Sequence, residues 1–179
     1  MPNHAGKIVF FLFAILICLL GHAIRANADT TLYARNSITS LLEHPSPLIH
    51  EPRSDEVDVI AAVCAEAEVV YGVPCLLLVS MMHHESRFDY RAVGKKGELG
   101  LLQIHGVAAR GCDLEDIRGQ VFCGASWLKR GYDQCGAWWG ALYWYAAGAC
   151  SPADNQSRLS RRITMREHLW QRLKKQSGE

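Results

Sequence analysis

The chain has 179 residues, 19 Lys and Arg against 18 Asp and Glu, a formal net charge of +1 and 49% hydrophobic residues. That length accommodates one domain with a real hydrophobic core plus extensions. The near-neutral balance excludes a global demand for an anionic partner, and no nucleic-acid binding is expected.

Lys7 precedes an apolar run from Ile8 to Leu20, and Ala26-Asn27-Ala28 puts small residues at both positions a signal peptidase reads. Residues 1–28 are therefore expected to be a signal peptide cleaved before Asp29, and the protein to be exported. The run is shorter than the roughly 18 apolar residues that span a bilayer, and it exits through His22 and Arg25, so no stable membrane anchor is expected after cleavage. A lipoprotein reading of Cys18 fails because Ile17 stands where a small residue is required. Removing residues 1–28 takes away Lys7 and Arg25 but no acid, leaving 17 basic against 18 acidic side chains, a balance of −1.

Residues 29–55 read as an extended lead, with Pro45, Pro47 and Pro52 among Ser, Thr and His and one apolar patch at Ile38, Leu41 and Leu42. Asp55 then offers an N-cap, and Val57, Ile60, Ala61, Cys64 and Ala67 recur at helical spacing until Gly72. Pro74 suits the first turn of a second helix that runs to His84 or Glu85, apolar nearly all round and hence central. Residues 89–100, with Gly94, Gly97 and Gly100, form a polar loop, and Leu101 to Ala109 a short apolar segment. Helical spacing resumes from Asp116 to Arg130, where Gly131 is expected to end it. Trp138 to Ala147 is an aromatic helix closed by Gly148. Leu159, Ile163, Arg166, Trp170 and Leu173 share one face of a basic amphipathic helix within residues 153–179. Anionic lipid, glycan or protein is one reading of that tail's partner, but a solvated basic face with the apolar residues packed inward is the simpler expectation. There is no internal repeat and no convincing strand pair.

Six cysteines remain after cleavage: Cys64, Cys75, Cys112, Cys123, Cys135 and Cys150. An even count in an exported chain points to as many as three disulfides, with fifteen possible full connectivities. Cys112–Cys123 would close a loop and Cys135–Cys150 would staple the aromatic segment, whereas Cys64–Cys75 exceeds a comfortable Cα spacing if the two lie on successive helices. Zinc is the rival, but there is no Cys-x-x-Cys pair.

The chemistry concentrates at Glu85-Ser86-Arg87-Phe88 and, fifteen residues after the Glu, Gly100-Leu101-Leu102-Gln103-Ile104. A glycosidic bond needs a protonated carboxyl beside the leaving oxygen, and burying a Glu against apolar residues raises its pKa towards that role. His83-His84-Glu85 with His105 invites a metal reading, but adjacent histidines on a helix point about 100° apart and His-Glu-x-x-His is absent, so neither metal nor other cofactor is expected.

Glu-Ser-x-Phe at residues 85–88, Ala92 seven residues after the Glu, Gly-x-x-Gly-Leu-x-Gln-Ile from Gly97 to Ile104, and Tyr145-Ala146-Ala147-Gly148 together resemble the lytic transglycosylases, lysozyme-like enzymes that cut peptidoglycan. Tyr71-Gly72-Val73-Pro74 also looks like that family's entry to its catalytic helix, so the likeness covers about residues 56–150. It implies a mostly α, lysozyme-like single domain, here stapled by disulfides over residues 56–152, with Glu85 as sole catalytic acid and base. It also implies that Ser86 partners the Glu, and that Gln103, His105 and Tyr145 lie along the sugar site. Ala146 replaces the family's Asn, Leu102 its Met, and Glu98 a small residue, changes that bear on substrate range or rate more than on fold.

Each accessory residue also has a plainer role open to it. Gln103 can tie the Gly-rich turn, Ser86 can cap a helix, and Trp138, Trp139 and Trp144 can be packing. The expected function is cleavage of the MurNAc-GlcNAc β-1,4 bond with formation of 1,6-anhydro-MurNAc, on peptidoglycan glycan strands of a bacterial envelope, in the periplasm or secreted. By analogy with the family, a secretion, conjugation or phage assembly is the kind of machine such a domain serves. The alternatives are a hydrolytic muramidase on the same fold and a non-catalytic peptidoglycan-binding module of an envelope-spanning assembly.

Overall fold

The computed structural model describes residues 4–43, 51–151 and 157–178. Among the described residues six α-helices follow one another: α1 (His4–Leu42), α2 (Ser54–Tyr71), α3 (Cys75–Glu85), α4 (Ile117–Cys135), α5 (Trp138–Ala147) and α6 (Arg158–Ser177), with a 3₁₀ turn at Gly106–Ala109. Among the described residues there is no strand, only isolated bridges that join Leu99 to Val93 and to Ile104. The fold is thus mostly α, as the periodicity predicts.

α3 is the central element because it carries no polar face to turn outward: Cys75 through Met82 are all buried. Burial of each Leu, Val or Met among them is worth about 1.5–3 kcal/mol. The helix starts directly after Pro74, whose ring already holds a helical φ and whose carbonyl accepts from Leu77 N at 3.0 Å. α1, α2 and α6 pack around it, α4 lies on α2, and α5 crosses α4 and touches α6.

Two expectations are corrected. Residues 29–42 are not extended but the end of α1, because Ala34, Ile38, Leu41 and Leu42 fall at helical spacing; Ala34 and Ile38 are fully buried, and Leu41 and Leu42 pack on the core. The prolines that suggest an extended lead come after the helix; Pro45 and Pro47, like the boundary expected at residues 152 and 153, lie outside the described residues. The second correction concerns Gly131, which does not end α4. The helix continues to Cys135 and closes at Gly136 with φ 74°. Gly131 is instead the point of close approach to α5: a Cβ there would lie 3.0 Å from Trp144 and 3.1 Å from the Ala141 carbonyl. The expected C-caps at Gly72 and Gly148 both adopt left-handed backbone, φ 66° and 72°.

Two disulfides join Cys112 to Cys123 and Cys135 to Cys150. Cys64 and Cys75 are buried thiols outside both disulfides, the first donating to the Cys75 carbonyl at 3.3 Å. The bridges hold the two irregular segments of the domain, one beside the 3₁₀ turn and one across α5.

Candidate functional site

Glu85 is the last residue of α3, where the chain must leave the core. It does so sharply: Arg87 and Phe88 adopt φ 57° and 65°, left-handed values that cost a non-glycine residue about 1–2 kcal/mol each. Complete burial of the Phe88 ring offsets that strain. Ser86 Oγ donates to the Leu101 carbonyl at 2.9 Å, so the end of the helix is bonded to the Gly-rich turn fifteen residues on.

Gln120 secures the same turn from the other side. Its amide oxygen accepts from Leu101 N at 2.9 Å, and its nitrogen donates to the carbonyls of Tyr90 and Leu114, each at 2.9 Å. Gly100 is required here, because its φ is 69° and a Cβ would lie 2.1 Å from the Gln120 oxygen. Gln103, itself at φ 49°, donates through its side chain to the Gly100 carbonyl at 3.0 Å. It therefore ties the turn as well as facing the cleft.

The turn, α5 and α6 enclose a cleft of about 680 Å³ with Glu85 at its base. The structure brings Glu85, Gln103, His105 and Tyr145 together on its walls. Ser86 is not on the wall; it stands behind Glu85 with its hydroxyl turned to the turn's backbone. Of the aromatic cluster, Trp144 lines the cleft with Trp127, their rings 4.7 Å apart, while Trp138 and Trp139 pack elsewhere on Tyr132 and Tyr143. Ala146 is exposed at the cleft wall.

The Glu85 side chain is only 12% exposed, and Arg166 Nη2 lies 2.6 Å from its Oε1. Arg162 Nη2 is 3.8 Å from the other oxygen, on a side chain that is 57% exposed. Burial pushes the Glu85 carboxyl above its ordinary range; Arg166 and then Arg162 pull it down, and Glu98 adds a smaller upward push. Burial likewise lowers Arg166 and drives the Tyr145 phenol well above its usual value, so Tyr145 is a permanent donor, to Leu102 O at 2.9 Å. His83 and His84 are both lowered to about 4, chiefly by burial, with neighbouring arginines adding to it.

No metal-binding geometry accompanies these histidines. Their rings are edge-on at 5.1 Å, His83 Nε2 faces Arg87 Nη1 at 2.6 Å, and among the described residues no three His, Cys, Asp or Glu side chains are grouped to hold an ion. What the arrangement offers is one shielded carboxyl, held by cations, at the base of an open groove. That is the equipment for moving a proton on and off a bound oxygen.

Arg162, Arg166 and Trp127 are the cleft residues that sequence reasoning leaves out. For Arg166 a signal exists: it falls in the apolar stripe of α6 between Ile163 and Trp170, where a solvated cation does not belong. Nothing in the sequence says which carboxylate it meets.

The family model for the transglycosylase SLT domain matches residues 62–164, more than half of the chain. No curated protein and no solved structure matches it. The match spans Glu85, the Gly-rich turn and the Tyr145 segment, and it supports a transglycosylase-family function on peptidoglycan, outside the cytoplasm. The chain belongs to the transglycosylase SLT domain family.

Proposed function

We propose that this protein is a peptidoglycan lytic transglycosylase with Glu85 as its general acid and then its base. The observation that carries the proposal is the shielded Glu85 carboxyl at the base of the cleft, paired with Arg166. Asp89 is buried, but its Oδ1 accepts from Arg91 N at 2.9 Å and it does not line the cleft. Glu98 does line it, with Oε2 accepting from Lys96 N at 2.8 Å.

Protonated Glu85 gives its proton to the glycosidic oxygen as the MurNAc C1–O bond breaks, and the GlcNAc-bearing strand leaves with that hydrogen. The resulting carboxylate takes the proton from the C6 hydroxyl of the same MurNAc, and O6 closes on C1. The product is 1,6-anhydro-MurNAc, the enzyme regains its starting state, and no water is consumed. An intramolecular hydroxyl avoids the entropy of recruiting water, and a positioned acid–base group contributes roughly 10²–10⁴-fold.

Ser86 acts in this scheme by fixing the end of α3, Gln103 and Tyr145 by holding the wall that faces Glu85, and His105 by bordering the groove. Export and cleavage before Asp29 are part of the same proposal, since the substrate lies outside the cytoplasm. They are supported by the exposure pattern of α1: residues 19–29 are exposed, and contact with the core begins beyond them. Among the described residues no helix is long and apolar enough to cross a membrane.

Glu98 on the cleft wall favours hydrolysis as the second reading, with its carboxylate as the base for a water. Mass spectrometry of digested peptidoglycan separates the two. Anhydro-muropeptides that vanish in Glu85→Gln and persist in Glu98→Gln support the transglycosylase; reducing ends lost in both variants support the muramidase. Binding with no released muropeptide from the unaltered protein points to a non-catalytic module.

A further inference from the structure

Arg166 lies two residues beyond the end of the family match, on a helix that begins inside it. Its side chain is 2% exposed, as buried as the leucines around it. Its main chain is fixed to the central helix, because Ser80 Oγ of α3 donates to the Arg166 carbonyl at 2.6 Å. Its Nε and Nη1 have no acceptor among the described residues, so the Glu85 carboxylate is the partner that balances this cation. A buried guanidinium with two idle nitrogens is a costly arrangement, and packing alone does not call for it.

We propose that Arg166 is the positioning residue of this site: it holds Glu85 in place as an ion pair and sets the pH at which that carboxyl releases its proton. The inference rests on the assignment of Glu85 as acid and base. A carboxyl that burial alone controlled would keep its proton too firmly to serve as the base of the second step. The adjacent cation stabilises the carboxylate left after the first transfer, so one group performs both steps. Arg166 thereby completes a site whose other lining residues lie within the matched stretch.

The other groups around Glu85 are accounted for. On α6, Arg162 is half in solvent and screened. On α3, His83 and His84 are neutral above about pH 4, and Arg87 beyond it is exposed and faces His83. On α5, Tyr145 stays neutral. Across the cleft, Glu98 opposes Glu85 weakly, with exposed His105 beside it. Among the described residues Arg166 is the one buried cation in contact with the carboxyl.

The test is the alkaline limb of kcat/KM, which reports loss of the protonated acid in the free enzyme. Arg166→Gln is expected to move that limb upward by about 1–3 pH units, the effect of removing an adjacent opposite charge. Arg166→Lys should restore most of the shift, and Arg162→Gln should move the limb less. A folded Arg166→Gln with an unmoved limb overturns the proposal. Should that variant fail to fold, a second measurement uses the unaltered protein: the Glu85 carboxyl carbon and the Arg166 guanidinium nitrogens, followed by NMR, should titrate with one midpoint. Separate behaviour of the two groups overturns the proposal as well. Normal anhydro-muropeptide release by Glu85→Gln rejects the acid–base assignment itself, whereas an inert Glu85→Gln beside an unmoved limb rejects only Arg166.

Discussion

The Tyr145 hydroxyl donates to the Leu102 carbonyl at 2.9 Å, bonding α5 to the turn that faces Glu85 across 43 residues of sequence. The wall of the cleft is therefore a hydrogen-bonded unit of two elements rather than two independent surfaces. Tyr145 both borders the groove and ties α5 to the turn.

Tyr145→Phe removes this one bond and keeps the ring. Stability should fall by about 0.5–1.5 kcal/mol, the net worth of a hydrogen bond, as read from urea denaturation. Activity should fall further, about tenfold in kcat with little change in KM, because a relaxed wall misplaces the saccharide against Glu85. Equal losses in the two measurements would reduce Tyr145 to packing.

Gly100→Ala tests the turn. The new Cβ would displace the Gln120 side chain and break its bond to Leu101, and φ 69° strains any L residue as well. A loss of about 2–4 kcal/mol is expected from the combined effects. Gly97→Ala is the control: its φ is 81° but no atom lies within 4 Å of the added methyl, so only backbone strain of about 1–2 kcal/mol applies. If the two variants melt together, Gln120 is not what makes Gly100 necessary.

These contacts mark where sequence reasoning reaches and where it stops. Glu85 at a helix end, Gly72 and Gly148 as caps, and the Gly-rich turn are legible because each follows from neighbours within a few residues. Gly131 is misleading because glycine marks both a helix end and a close crossing, and the Trp144 and Ala141 atoms that decide between them come from another helix. Arg166 is visible as a cation in an apolar stripe, yet its meaning depends on α6 docking beside α3, 81 residues from its partner. The end of α1 is missed because prolines further on outweigh a four-residue apolar repeat.

The paired histidines give the fold an acid limit. His83 and His84 have an ordinary value of 6.5 that falls to about 4 in the folded chain, first through burial. Between these values the unfolded chain binds more protons than the folded one, so stability rises with pH across the window and is lost as pH falls from about 6.5 to about 4. Glu85, raised by burial, works in the opposite sense: its contribution is present at low pH and is lost as pH rises through its folded pKa. Melting temperature should therefore drop on acidification, and a His83→Gln, His84→Gln double variant should flatten that drop. An unchanged slope in the double variant would assign the acid limit elsewhere.

The cysteines divide by chemistry. Cys135–Cys150 closes a separation of 15 residues across α5, and its removal as Cys135→Ala with Cys150→Ala should cost about 2–4 kcal/mol. Cys64 and Cys75 are buried and lie outside both disulfides, so in a chain beginning at Asp29, which lacks Cys18, a thiol reagent should leave the folded protein unlabelled and add two groups on unfolding without reductant. Mass spectrometry counts the groups; no labelling after unfolding would mean that these two thiols are bridged.

α1 is the element on which export and folding make competing claims. Exposed apolar residues such as Leu19, Leu20 and Ile24 precede the proposed cleavage point, and fully buried Ala34 and Ile38 follow it. Arg35, on the same helix, reaches Asp58 of α2 at 2.5 Å, but both side chains are about half exposed and the pair adds little. A chain beginning at Asp29 should therefore melt with the full-length protein, because it gives up no buried contact among the described residues. A chain beginning at Glu43 loses Ile38 from the core, worth about 1.5–3 kcal/mol, together with Ala34 and the cover that Leu41 and Leu42 provide. Calorimetry on the two truncations decides the point. A large loss already at Asp29 would mean that residues before it belong to the folded domain, and processing between Ala28 and Asp29 would then be incompatible with a stable fold.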